Sequence, residues 1–221
     1  MKAPRVLDLF CCGGGASMGF DRDGFEVTGL DQDDLSSYYP FTFVRAEAID
    51  WLDANAHRLK EWDLIWASPP CQRFSAATKK WGKDQVDTHP DLVGPVRQRL
   101  LASGVPFVME NVVQAPLRKD LMLCGKMFDL DLARHRIFEI EGFTVPQPEH
   151  PWPHPGRVIT VTGNPGGSSK RDGGSRFGST ADWRRAMDID WLPARLIREA
   201  VPPPYAEYIG FHFRFGGHRN G

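Results

Sequence analysis

The chain has 221 residues, 41% of them hydrophobic and 25% charged, with a formal net charge of −1. That length suits one medium α/β domain with a sizeable core, and the balance excludes a disordered, collagenous or globally basic protein. No stretch approaches the ~20 apolar residues of a membrane helix and no signal-peptide core follows Met1, so neither a membrane span nor a secreted form is expected. Cys11, Cys12, Cys71 and Cys124 show no C-x-x-C spacing. Neither a disulfide framework nor a zinc motif is expected, and a reducing, cytoplasmic setting fits. Any contact with nucleic acid must come from a local patch.

In chain order, Arg5-Val-Leu-Asp-Leu-Phe10 predicts a first strand, and Cys11-Cys-Gly-Gly-Gly-Ala-Ser17 a glycine turn opening a helix. Gly13, Gly14 and Gly15 permit positive φ and close backbone approach to a ligand at the helix N-terminus. Many loops hold three glycines; the strand–turn–helix–strand context is what gives these meaning. A second strand over 25–30 ends on Asp31, where nucleotide-binding folds hold ribose hydroxyls, although a solvated loop acid beside Asp33 and Asp34 would look the same. A third strand over 41–45 leads to Glu47 and a helix over 49–59.

Leu64, Ile65, Trp66 and Ala67 form an uncharged run, as a buried parallel strand requires, and Pro69 and Pro70 stop it. Cys71 thus falls just past the carboxyl end of a buried strand, where open α/β sheets place ligands. For an arbitrary cysteine, a buried structural thiol is the commoner explanation. Residues 73–91 are polar, with Lys79, Lys80 and Lys83, and read as a loop. A helix over 92–103 follows, stopped by Gly104, then a strand over 105–109 that delivers Glu110-Asn111-Val112 to the same sheet edge. Cys124 reads as a core thiol. Residues 134–140 alternate as a strand, with Arg134 and Arg136 on one face and His135 on the other.

Composition changes after residue 140. Five prolines fall between 146 and 155, glycines follow, and residues 156–186 carry six Lys/Arg against two Asp. Such a stretch cannot form a core of its own, and its basic loop suits a DNA backbone as readily as it suits solvent. His150 and His154 flank Trp152, but without a cysteine nearby no metal site is expected. Residues 183–200 look helical in parts, and Ala200-Val-Pro-Pro-Pro-Tyr205 opens a final helix.

Five strings in order carry a resemblance: Asp8-Leu-Phe-Cys-Cys-Gly-Gly-Gly15, Pro69-Pro-Cys-Gln72, Glu110-Asn-Val112, Arg134-His-Arg136 and the closing proline motif. Together they are similar to the motifs of the DNA cytosine-5 methyltransferases. The resemblance implies an α/β, Rossmann-like fold with a mixed, mostly parallel sheet, in which 1–140 and 183–221 bind S-adenosylmethionine (SAM) and 141–182 is a short target-recognition region. It implies Cys71 as nucleophile, Glu110, Arg136, Arg134 and Asn111 as catalytic companions, and SAM held by Phe10, Gly13, Gly14, Gly15, Asp31, Glu47 and Pro69. DNA would meet Gln72, Ser75, Lys79, Lys80, Arg171 and Arg176. Double-stranded DNA is the implied partner and S-adenosylhomocysteine the product. The compact size fits a monomer from a phage or a stand-alone bacterial system, working in the bacterial or phage-infected cytoplasm, with a cognate restriction enzyme as candidate companion. Two departures stand out. Cys12 replaces a usual glycine, and Glu47 replaces a commoner aspartate. A tRNA cytosine-5 methyltransferase would share nearly all these motifs, a catalytically silent relative would have little need of Cys71, Glu110 and Arg136, and a thiol redox enzyme would need paired cysteines.

Overall fold

The computed structural model describes residues 2–74, 90–163, 165–166 and 178–216. Its strands are β1 (Arg5–Leu9), β2 (Glu26–Asp31), β3 (Thr42–Arg45), β4 (Leu64–Ala67), β5 (Phe107–Asn111), β6 (Leu121–Leu123) and β7 (Arg136–Glu141). They form one sheet in the order β3-β2-β1-β4-β5-β7-β6. From β3 to β5 every pairing is parallel, and β7 is antiparallel to both β5 and β6. The chain steps outward from β1 to β3, then restarts on the other side of β1 with β4. Its topological switch point therefore lies between β1 and β4, where open α/β sheets bind ligands.

The described α-helices are α1 (Gly15–Arg22), α2 (Ala48–Ala54), α3 (Val93–Ser103), α4 (Thr180–Met187), α5 (Ala194–Ile197) and α6 (Pro203–Phe215). One face of the sheet packs α1 and α6 around Trp66, whose ring meets Phe20 edge-on at 5.4 Å between centroids. The other face packs α2 and α3 on Leu7, Leu9, Ile65, Phe107 and Met109. Buried strands read as near-continuous apolar runs for this reason: both faces are covered.

Three boundaries differ from the sequence expectation. The helix expected over 49–59 ends at Ala54, and a 3₁₀ segment follows over Ala56–Glu61. Asn55 closes it early by donating its Nδ2 to Trp51 O at 2.9 Å, a local side-chain bond that competes with helix continuation. Strand β5 runs on through Glu110 and Asn111, because both are paired to β7, at Phe138 and Ile137. Arg134 and His135 precede β7 rather than lying in it.

Residues 141–163, although poor in core-forming side chains, are tied into the molecule. Phe143 joins the α1–α6 core, while Ile159 and Val161 pack with Trp183, Leu192 and Ile197 in a third cluster. Glu139 on β7 is buried and takes a bidentate pair from Arg97 of α3, at 2.8 and 2.7 Å. Arg118 N adds a third hydrogen bond to it at 3.0 Å. A buried carboxylate needs that degree of satisfaction to be tolerated.

Candidate active site

A cleft of about 310 Å³ opens at the carboxyl ends of the central strands. The turn after β1 forms one wall with unusual backbone: Phe10 and Cys12 adopt positive φ, 62° and 48°. Non-glycine residues are uncommon there and cluster at functional sites. The left-handed geometry at Cys12 also explains why glycine would be at home in its place. Phe10, Cys12 and Gly15 line the cleft, but Gly13 and Gly14 face other parts of the protein. A side chain on Gly13 would overlap Leu192, and one on Gly14 would press on Tyr39.

Asp31, at the end of β2, projects into the cleft. Its Oδ2 accepts from Cys12 N at 3.0 Å and its Oδ1 from Asp33 N at 3.1 Å. These bonds hold the carboxylate in place and leave further lone pairs open. Glu47 also lines the cleft, while its Oε2 caps α2 by accepting from Asp50 N at 2.9 Å. Pro69, Cys71 and Gln72 lie along the cleft with Glu110, Arg134 and Arg136. Asn111 stands behind them: its Nδ2 donates to Pro69 O at 2.9 Å, and its Oδ1 accepts from Val112 N at 2.9 Å. Ser75, Lys79, Lys80, Arg171 and Arg176 lie outside the described residues.

Charge in the cleft is concentrated and largely desolvated. Arg136 Nε lies 2.8 Å from the Glu110 carboxylate. Burial pushes Glu110 up, with Arg136 pulling the other way. Burial likewise raises the Cys71 thiol, against the lowering effect of Arg136. Half-buried Arg134 falls to about 9 through desolvation of its guanidinium first and the neighbouring Arg136 charge second. It is held by Arg198 O at 2.6 Å and Val161 O at 3.3 Å, while Tyr205 donates its hydroxyl to Arg134 O at 2.6 Å. Burial pushes Cys11 far up and Cys12 to about 12, leaving both unionised near neutrality and poorly suited to thiol chemistry.

The motif reading gave Asp8 no role of its own. It is 1% exposed, and its Oδ2 accepts a short hydrogen bond from Ser17 Oγ, which lies 2.7 Å from the Tyr39 hydroxyl. Asp8 is among the residues lining the cleft, and its buried Oδ1 has no hydrogen-bond partner among the described residues. Burial first, then the nearby Asp31 charge, raise it to about 7, against the lowering effect of Ser17. Between about pH 4, where an unfolded aspartate ionises, and about 7, the folded chain holds a proton that the unfolded chain has released. Stability from this group is full below that window and lost as pH rises through it. Asp8→Asn should flatten the slope. Urea midpoints at pH 5 and pH 8 should converge in the variant, and parallel pH profiles for the two proteins would refute the assignment.

Comparison with known proteins agrees with this geometry. The family model of the C-5 cytosine-specific DNA methylases matches residues 4–120, more than half of the chain. No curated protein is similar enough in sequence to match. Among solved structures, an Escherichia coli prophage protein described as a DNA modification methyltransferase superposes with a TM-score of 0.61 at 16% identity, covering 95% of this chain and 99% of that one. The S. pombe Dnmt2 methyltransferase gives 0.56 at 11% identity, covering 96% and 99%. The Entamoeba histolytica methyltransferase EhMeth gives 0.55 at 11%, covering 97% and 98%. At those identities the superpositions establish the shared fold, and the family match supplies the chemistry: this chain belongs to the C-5 cytosine-specific DNA methylases and is a SAM-dependent DNA cytosine-5 methyltransferase.

Proposed function

We propose that Cys71, Glu110 and Arg136 carry out the transfer on a cytosine turned out of double-stranded DNA, with SAM lying toward Asp31 and the turn after β1. The observation that carries this reading is the convergence of the thiol, the buried acid and two arginines in one cleft at the switch point. The cleft fits a cationic nucleoside. Asp8 Oδ1 is an orphaned buried acceptor in its wall, and Asp31 offers open lone pairs at the strand end. Phe10, Asp31 and Glu47 would hold the cofactor, which when bound supplies an electrophilic sulfonium methyl and leaves as S-adenosylhomocysteine.

The chain's own groups explain the rest. A cytosine in a stacked duplex hides C5 and C6, so the base must be extruded to reach Cys71. Adding the thiolate to C6 makes C5 electron-rich enough to take a methyl group, and loss of the C5 proton then ejects the cysteine. Glu110, biased toward its protonated form by burial, can donate at the N3 side of the ring as negative charge develops there. Arg136 sits beside Glu110 and supplies positive charge for the O2 side. Arg134 braces that strand through Arg198 and Tyr205. Asn111 fixes the cysteine loop at Pro69. Residues 1–140 with 183–221 act as the catalytic body and 141–182 as a short recognition region. We place the enzyme as a monomer in the bacterial or phage-infected cytoplasm, with a cognate restriction enzyme as companion; among the described residues no helix is long and apolar enough to cross a membrane.

The test is transfer of labelled methyl from SAM to unmodified double-stranded DNA and to tRNA in parallel. Label on DNA at cytosine C5 is the expected result. Label on tRNA alone would replace the DNA reading, and no label despite SAM binding would mark a silent relative.

A further inference from the structure

Away from the cleft, four side chains from separate stretches of chain converge. Cys124 follows β6, His135 precedes β7, and His150 and His154 belong to the proline-rich segment. Their ligand atoms all lie within 4.8 Å of one another. Cys124 Sγ is 3.4 Å from His154 Nε2, His135 Nε2 is 3.3 Å from His150 Nε2, and His150 Nε2 is 3.1 Å from His154 Nε2.

As a hydrogen-bond network this cluster is self-defeating. A ring nitrogen of neutral imidazole carries either one hydrogen or one lone pair, so His150 Nε2 can satisfy only one of its two imidazole neighbours. A cation at the centre removes the conflict, because each ligand atom then presents a lone pair to the same point. The spacing agrees. Tetrahedral zinc with Zn–N of about 2.0–2.1 Å and Zn–S of about 2.3 Å sets its ligand atoms roughly 3.3–3.6 Å apart. Three imidazoles and one thiolate, with no carboxylate, favour zinc over the oxygen-seeking magnesium and calcium. Four protein ligands leave no open position, which marks a structural rather than a catalytic centre.

We propose that Cys124, His135, His150 and His154 form a structural zinc site that staples the proline-rich segment to the β6–β7 edge of the sheet. This supplies what that segment lacks in composition. Five prolines in residues 146–155 cannot build a core, and a metal tie to two sheet-edge residues holds them without one. The site also bears on the cleft, since His135 lies between Arg134 and Arg136 and a metal bond would fix the backbone that presents both arginines. Zinc binding releases the Cys124 thiol proton and involves no redox step.

The experiment measures metal in tag-free full-length protein purified without chelator, by plasma emission, and records the visible spectrum after exchange with cobalt(II). About one zinc per chain is expected, with a tetrahedral cobalt spectrum carrying a thiolate charge-transfer band. His150→Ala with His154→Ala should lose the zinc, and Cys124→Ser should lose the charge-transfer band. Should the variants fail to fold, the wild-type cobalt spectrum decides by its thiolate band alone. Wild-type protein that takes up neither zinc nor cobalt overturns the proposal, as does zinc retained at full occupancy in the double variant. Metal content is read independently of methyl transfer, so the proposal can fail while the catalytic reading stands, and the reverse.

Discussion

Cys71→Ala is expected to abolish methyl transfer while leaving DNA and SAM bound. Cytosine C5 is a weak nucleophile until something adds to C6, and Cys71 is the one thiol lining the cleft whose loop is shaped for presentation: Pro69 and Pro70 precede it, and Asn111 pins Pro69 O at 2.9 Å. Losing a covalent nucleophile costs on the order of 10⁴-fold or more in kcat, and neighbouring groups do not compensate. Cys12 also lines the cleft, but burial holds it at about 12, so it offers little thiolate at neutral pH. The variant's fold should survive, because Cys71 is only half-buried and replacement by alanine leaves a small gap. Single-turnover assays with labelled SAM, beside gel-shift measurements of DNA binding, make the comparison. Transfer by the alanine variant at more than a trace of the wild-type rate would remove Cys71 from the chemistry.

The second large effect is structural. Gly19→Val should unfold the protein or come close to it. Helices α1 and α6 approach so tightly that a Cβ on Gly19 would lie 2.1 Å from Pro203 O and 2.8 Å from Glu207 N. Gly15, one turn earlier on the same face, would meet Val201 O at 2.3 Å. These obstacles are backbone atoms, so no rotamer change relieves the overlap and the helices must separate. Overpacking typically costs about 1–3 kcal/mol, and more when backbone must move, against a total stability of roughly 5–15 kcal/mol. Even Gly19→Ala, which gains about 1 kcal/mol of helix propensity, should be destabilised on balance. Gly94→Ala is the control: it lies in α3, and among the described residues no atom outside its own helix backbone and chain neighbours comes within 4 Å of the added Cβ, so its urea midpoint should hold or rise. Equal midpoints for Gly19→Val and wild type would mean that α1 and α6 do not pack this closely.

Much of this was readable in the residues themselves. Short apolar runs such as Leu64-Ile-Trp-Ala67 identify buried strands because covering both sheet faces demands apolar side chains at every position. Proline pairs and glycine turns mark where those strands stop, and polar residues just beyond the stops gather at one sheet edge. This logic placed Asp31, Cys71 and Glu110 at that edge, while their roles came only from the family resemblance. The end of the 49–59 helix was less legible, since Asn55 closes it with a side-chain bond that periodicity does not register.

What one-dimensional reading could not reach depends on long-range partners. Gly19 is an ordinary helix glycine until α6, nearly 200 residues later, is laid across it. Asp8 is one strand residue among several until burial beside Ser17 and Asp31 lifts it to about 7. His150 and His154 argue for no metal while cysteines are sought nearby in sequence; the fold brings Cys124 and His135 to them across the β6–β7 edge. By itself, then, the sequence determined most of the strand runs, though not β6, together with the polar residues at their ends and the family. The tertiary structure alone decided close helix approach, desolvated charge and ligand convergence, because each is a property of distances between residues that the chain keeps far apart.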